Sequence, residues 1–263
     1  MLRILTARLR QGHRTIGYPD APPVLPDRYR GLPVVNAAKC DDGCAKCAQA
    51  CPTGAIDRRK GTLSLDMGKC LFCAACVEDC PAGAISFTSE HRMAVRNRAD
   101  LIVSDRVSAM AAALDEKSRR LFGRSLKLRQ VSAGGCNACE ADLNVLSTVV
   151  YDLSRFGIQF VASPRHADGV VVTGPVTANM KQALLETYEA VPAPKIVIAV
   201  GACAISGGPY IGHPECGGGA AEWLPVDLFV PGCPPHPITI LDGLLRLLGR
   251  MDDGVKAKGD RAG

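Results

Sequence analysis

A chain of 263 residues, 47% hydrophobic and 22% charged, is long enough for two domains with a sizeable core in at least one of them. No apolar run approaches the ~20 residues of a membrane-spanning helix, and the arginine-studded N-terminus lacks the apolar stretch and cleavage site of a secretory signal, so a soluble chain in a reducing cytoplasm is expected. There, thirteen cysteines favour metal ligation over disulfides, and a formal charge of +5 that counts them as neutral is no argument for nucleic acid.

In chain order, Leu2, Ile4, Leu5 and Leu9 alternate with Arg3, Arg8 and Arg10 at near-helical spacing, a short basic amphipathic segment suited to an anionic membrane surface or to a partner's groove. Residues 18–35 carry Pro19, Pro22, Pro23, Pro26 and Pro33 and read as an extended arm. Then comes Cys40-x3-Cys44-x2-Cys47-x3-Cys51-Pro52, repeated as Cys70-x2-Cys73-x2-Cys76-x3-Cys80-Pro81, with Thr53-Gly54-Ala55-Ile56 echoed by Ala82-Gly83-Ala84-Ile85. This internal repeat resembles the bacterial two-cluster ferredoxin. The resemblance implies that the fourth cysteine of each run serves the other cluster, so that Cys40, Cys44, Cys47 and Cys80 hold one 4Fe-4S cube and Cys70, Cys73, Cys76 and Cys51 hold the second. One residue too many separates Cys40 from Cys44. Gly43 is the residue that would let the chain bulge there, unless Cys40 is replaced as a ligand. Zinc is the competing metal, although it rarely uses interlocked four-cysteine runs ending in Cys-Pro.

Residues 87–129 carry less chemistry. His91 to Arg96 reads as a strand or sheet edge, Ser104-Asp105 as the cap of a helix running through Arg120, and the arginines as a solvated or partner-facing surface. From Leu126 onward strand and helix alternate: strands at Lys127–Val131, Ile158–Ala162, Gly169–Thr173, Lys195–Val200 and Asp227–Val230, helices near 139–156 and 177–190 and at Pro237–Leu248. Near-continuous apolar strands imply burial on both faces, hence a parallel sheet under helices with a flavodoxin-like architecture.

Gly134-Gly135-Cys136-Asn137-Ala138-Cys139-Glu140 stands at a strand-to-helix turn, and Cys203 and Cys233 stand just past strands. If the strands are parallel, these loops share one sheet edge, where open α/β sheets bind ligands, and Cys136, Cys139, Cys203 and Cys233 then hold one iron–sulfur cluster. The paired glycines leave room for something bulky to approach the backbone. Glu140 is read as a proton relay or a helix-start cap, Arg165 and His166 as cations that tune the cluster or bind the partner, and Cys216 as a bystander in a long glycine-rich loop.

Cys-x2-Cys-Glu, Ser163-Pro164-Arg165-His166-Ala167-Asp168, Gly201-Ala202-Cys203 with Ser206-Gly207-Gly208, and Pro231-Gly232-Cys233-Pro234-Pro235 occur in that order. Together they resemble the small subunit of formate-hydrogenlyase-type, energy-converting nickel–iron hydrogenases and the related 20 kDa subunit of respiratory complex I. The front half, with Tyr29-Arg30-Gly31 before the cysteine runs, resembles the two-cluster subunit of the same complexes. The chain thus reads as a fusion of two electron-transfer subunits: an N-terminal segment and arm (1–35), a two-cluster ferredoxin-like α+β domain (36–90), a connector with a helix (91–125), a flavodoxin-like α/β domain (126–250) and a polar tail (251–263). What the resemblance implies is an oxidoreductase subunit with three 4Fe-4S clusters, which would bring the formal charge to roughly −1. Its partners would be a nickel–iron or complex-I-like large subunit that carries the hydrogen chemistry, further membrane subunits and a redox donor or acceptor protein, at the inner face of the cell membrane. Complex I has adjacent cysteines where Asn137 and Ala138 separate Cys136 from Cys139, which favours the hydrogenase branch; delivery to quinone, or to a large subunit without metal, is the alternative.

Overall fold

The computed structural model describes residues 2–12, 14–41, 43–59, 62–104 and 113–251. Helix α1 (Leu2–Gln11) leaves apolar side chains in solvent, with Ile4 74% and Leu9 84% exposed. The proline-rich arm then wraps the molecule: Ile16 donates to the Val150 carbonyl, and the Tyr18 carbonyl accepts from Arg155. Its last turn becomes β1 (Pro33–Val35), an outer strand that a leading proline permits.

The two cysteine runs fold as near copies of each other. After α2 (Lys46–Ala50), the strands β2 (Ile56–Arg59) and β3 (Thr62–Asp66) form a hairpin; after α3 (Ala75–Glu78), β4 (Ile85–Phe87) pairs antiparallel with β1. The repeated Cys-Pro-x-Gly-Ala text produces the same turn twice. Gly54 and Gly83 both sit at φ +59°, and the amides of Ala55 and Ala84 both donate to the fourth sulfur of their own run, Cys51 and Cys80, at 3.2 Å. Strand β5 (Ile102–Val103) extends the hairpin sheet on the β3 side.

Between the halves the expectation of a helix entered at Ser104-Asp105 is corrected in part: residues 105–112 lie outside the described residues, and the helix seen, α4 (Glu116–Phe122), is capped by Asp115, whose carboxylate accepts from the Ser118 amide. The connector arginines are not all solvated either, since Arg98 forks onto Asp66 at 2.7 and 2.8 Å.

The second half is a five-stranded parallel sheet. Its strands are β6 (Leu126–Ser132), β7 (Ile158–Phe160), β8 (Gly169–Thr173), β9 (Ile196–Val200) and β10 (Leu228–Val230), in the order β7-β6-β8-β9-β10. Every residue of β8, β9 and β10 is buried, as their unbroken apolar text requires. Helices α5 (Ala138–Val145), α6 (Ala178–Ala190), α7 (Ala202–Ser206) and α8 (Pro237–Leu247) connect and cover them. Helix α5 stops about eleven residues short of the expected end. The polar and β-branched run Asn144 to Val150 is a poor helix former, and the chain doubles back so that Leu153 donates to the Leu146 carbonyl. The cysteine-bearing turns after β6, β9 and β10 all leave the carboxyl end of the sheet.

The halves are joined through backbone and core. Val95 and Phe229 exchange both amide hydrogen bonds, at 3.0 and 2.8 Å, so His91–Arg96 contributes an edge pairing to β10. Ser206 donates from its hydroxyl to the Gly68 carbonyl at 2.8 Å. Met67, Leu101 and Val103 from the front half share one apolar core with Val131, Ile205 and Phe229. Among the described residues no helix is long and apolar enough to cross a membrane.

Candidate metal centres

The carboxyl-end turns bring Cys136, Cys139, Cys203 and Cys233 around one cavity of about 80 Å³, with Gly135, Gly174, Ala202 and Gly232 completing its wall. Asn137, at φ +70°, ends the β6–α5 turn and starts the helix that carries Cys139. Small residues are needed because the sulfurs crowd the backbone: a Cβ on Gly201 would stand 2.5 Å from the Cys139 sulfur, and one on Gly208 2.8 Å from that of Cys203. Gly134 and Gly135, expected to make room for a ligand, chiefly make room for the protein itself. A Cβ on Gly134 would meet the Thr177 side chain at 2.4 Å, and one on Gly135 the Gly174 Cα at 3.0 Å.

Burial pushes the Cys203 thiol up to about 12, with the charges of Cys233, Cys136 and Glu140 adding to it, and pushes Cys139 further in the same direction. Ligation as thiolates would have to displace these protons, a cost that metal binding can meet. Glu140 is buried (5% exposed), and its Oε1 accepts from the hydroxyls of Ser132 at 2.5 Å and Thr173 at 2.7 Å. That geometry excludes the helix-start cap expected for it. The sequence gives no sign of Ser132 and Thr173, because a serine and a threonine closing two strands carry no signal of their own. Arg165 and His166 do not line this cavity, and neither does Cys216, whose amide donates to the His213 carbonyl.

The front half holds two further thiol groups. Burial raises Cys70 to about 12 against the pull of the Phe72 amide, which donates to its sulfur at 3.3 Å, and the charges of Cys76, Cys51 and Cys73 add to the rise. Cys47 is raised by burial and then by Cys40, Cys80 and Cys44. The neighbours therefore divide as 40, 44, 47, 80 and 51, 70, 73, 76, with the fourth cysteine of each run standing among the first three of the other. Burial also acts on Cys80, but the amides of Ala84, Ala82, Ile85 and Gly83 outweigh it and hold that thiol below its ordinary value. Gly43 takes φ +84°, the bulge that the longer Cys40–Cys44 spacing needs, and the Cys44 amide closes on the Asp41 carbonyl.

Leu71 and Phe72, between Cys70 and Cys73, line one cavity with Cys233, and each group also acts electrically on the next. The charge of Cys47 bears on Cys76, and that of Cys73 bears on Cys233. The order is thus the group of Cys47, the group of Cys73, then the group at the sheet edge. Four thiols around a cavity, with backbone amides donating to sulfur and apolar walls about them, fit an iron–sulfur cluster in donor type and in number.

Residues 136–247 match the family described as NADH ubiquinone oxidoreductase, 20 Kd subunit, and residues 32–96 match the 4Fe-4S dicluster domain. The chain is 41% identical over 139 residues to the probable membrane-bound hydrogenase subunit mbhJ of Pyrococcus furiosus, covering 53% of this chain and 83% of that one. It is 38% identical over 159 residues to formate hydrogenlyase subunit 7 of Escherichia coli, covering 60% of this chain and 61% of that one. A chain in the solved structure of the membrane-bound sulfane sulfur reductase, an archaeal respiratory membrane complex, is 33% identical, with a TM-score of 0.45 over 52% of this chain and 75% of its own.

Proposed function

The chain belongs to the family of the 20 kDa subunit of NADH:ubiquinone oxidoreductase, here joined to a 4Fe-4S dicluster domain, and from that premise we propose that it conducts electrons along three 4Fe-4S clusters to the large subunit of a nickel–iron hydrogenase. That it is an iron–sulfur electron-transfer subunit of a hydrogenase-like or complex-I-like oxidoreductase follows from the family. The count of three clusters, the twelve ligands named above and the nickel–iron partner are our reading. The observation that carries it is the cavity lined by Cys136, Cys139, Cys203 and Cys233 at the sheet edge, with the residues between Cys70 and Cys73 lining a second cavity beside Cys233.

When bound, such clusters take up and release single electrons. The chain's own residues hold and shield them. Cysteines supply thiolates; Pro52, Pro81 and Pro234 turn the backbone away from the sulfurs; and the amides of Ala55, Ala84 and Phe72 donate to sulfur, which favours the reduced state. Apolar walls lower the local dielectric. Cys136 and Cys233 are exposed, which supports the sheet edge as the face toward the large subunit, and Cys40 and Cys44 stand at the other end of the row, toward the donor or acceptor. The strand order supports the flavodoxin-like description of residues 126–250, and the repeated turns support a ferredoxin-like unit at 36–90. Helix α1 has Arg3, Arg8 and Arg10 and no acid, and its exposed Leu5 and Leu9 support peripheral attachment to an anionic membrane surface beside further membrane subunits of the complex.

The test is anaerobic purification of the complex with nickel and iron assayed together. Nickel in the partner, hydrogen-dependent reduction of the iron–sulfur signals, and loss of one cluster in Cys203→Ala with the other two retained are expected. Unchanged iron in that variant would end the ligand assignment, and an absence of nickel would transfer the chain to the quinone-type branch.

A further inference from the structure

The Tyr29-Arg30-Gly31 motif lies outside every thiol group, yet the structure fixes it from both sides. Gly31 donates to the Thr88 carbonyl at 2.8 Å and admits no side chain, because a Cβ there would stand 2.0 Å from the Glu90 carbonyl oxygen. The Tyr29 hydroxyl meets the Thr239 hydroxyl at 3.1 Å, and its ring stands edge-on to His236 at 5.5 Å. Held between these anchors, Arg30 donates from Nη1 to the Phe72 carbonyl at 3.0 Å.

Phe72 is, with Leu71, one of the two residues between Cys70 and Cys73. Its backbone, at φ +53°, turns the amide onto the Cys70 sulfur and leaves the carbonyl for Arg30. Arg30 and Phe72 also line a cavity of about 360 Å³ whose far wall includes Cys233 and Pro234. The guanidinium therefore stands where the middle thiol group and the sheet-edge group approach each other. Among the described residues no carboxylate is within ion-pair distance of it; Asp142 lines the same cavity without reaching it. With no carboxylate on it, the guanidinium, on an exposed residue, is left to face the charge of about −2 that each neighbouring cluster would carry.

Building on the functional reading above, we propose that Arg30 is a positioning residue for electron transfer, a fixed positive charge shared by the centre on Cys51, Cys70, Cys73 and Cys76 and the centre on Cys136, Cys139, Cys203 and Cys233. It raises the reduction potential of both, keeping them matched so that an electron moves between them without a steep step. At an effective dielectric of about 20 and a separation on the order of 10 Å, one charge shifts a one-electron equilibrium by roughly tenfold.

The experiment is an EPR-monitored redox titration of the purified complex carrying Arg30→Gln, Arg30→Lys or, as a control away from this cavity, Arg120→Gln. Glutamine retains an N–H for the Phe72 carbonyl and removes only the charge. R30Q is expected to make reduction of both centres about tenfold harder, which is about 59 mV for one electron. R30K should stay within about twofold of the parent, exposed Arg120→Gln likewise, and the centre on Cys40, Cys44, Cys47 and Cys80 should be unmoved. Potentials in R30Q that stay within twofold, or a shift shared equally by all three centres, overturn the assignment. Should R30Q shed iron, Asp142→Asn decides: removing the negative charge from the same cavity must ease reduction of both centres, and unchanged potentials refute the role. A parent complex that lacks these two centres would overturn the functional reading itself, an outcome visible before any variant is compared.

Discussion

Gly201→Ala tests the sheet-edge centre without touching a cysteine. Gly201 holds φ +89° and ψ 158°, a region essentially reserved for glycine, so any side chain costs about 1–3 kcal/mol in backbone strain. The added methyl would lie 2.5 Å from the Cys139 sulfur, where ordinary contact begins at 3.4 Å, so the sulfur must retreat by about 1 Å. Metal–sulfur bonds tolerate roughly 0.2 Å, so a retreat several times larger removes Cys139 as a ligand. The strain is small beside a domain stability of about 5–15 kcal/mol, and the chain still folds. Iron and acid-labile sulfide per chain, with EPR of the dithionite-reduced protein, should show the loss of about four irons out of about twelve, the two front-half signals remaining. A full complement with an unaltered third signal would refute the argument that the turn after β9 is moulded to that sulfur.

Three further outcomes follow from features away from the thiols. Tyr18→Phe removes a 2.6 Å hydrogen bond to the buried Asp242 carboxylate, which also accepts from Arg246, and should lower stability by about 1.5–3 kcal/mol in denaturant titration, with earlier proteolysis of the arm; no loss would show that the arm is held elsewhere. Burial holds His91 below the ordinary imidazole range, although Asp242 and Glu90 pull the other way, so on acidification the unfolded chain takes up this proton first. Stability should therefore fall as pH drops below about 6.5, and His91→Gln should flatten that slope; superimposable profiles would refute it. Deleting residues 2–11 should leave iron content unchanged and weaken binding to anionic vesicles by up to about 1 kcal/mol per arginine lost, less at high salt; equal binding with and without the helix would remove α1 from the membrane contact.

What the sequence disclosed was whatever carries its own period or punctuation. The unbroken apolar strands, the repeated Cys-Pro turns and the glycine at the longer spacing each announce a local geometry, and β8, β9 and the paired Gly54 and Gly83 turns have it. Where the deciding partner lies far along the chain, the text was mute. Glu140 looked like a cap because its neighbours in sequence are a helix start, whereas the hydroxyls that donate to it, those of Ser132 and Thr173, are placed by strand register. The arginine of Tyr29-Arg30-Gly31 has no meaning until Phe72 is brought to it from 42 residues away. The start of the helix expected at Ser104-Asp105 lies outside the described residues; its far part, α4, has its own cap in Asp115, which the alanine-rich run before it obscured.

The exchange of amide bonds between Val95 and Phe229 bears on how this polypeptide can be handled. Strand β10 is the outermost of its sheet, and the segment leaving the front half is what screens part of its rim. Cut after residue 96, the C-terminal fragment would present bare amides and carbonyls of an apolar strand to any neighbour, an invitation to self-association. Making both halves on one ribosome delivers the screen in one-to-one stoichiometry with the strand it protects.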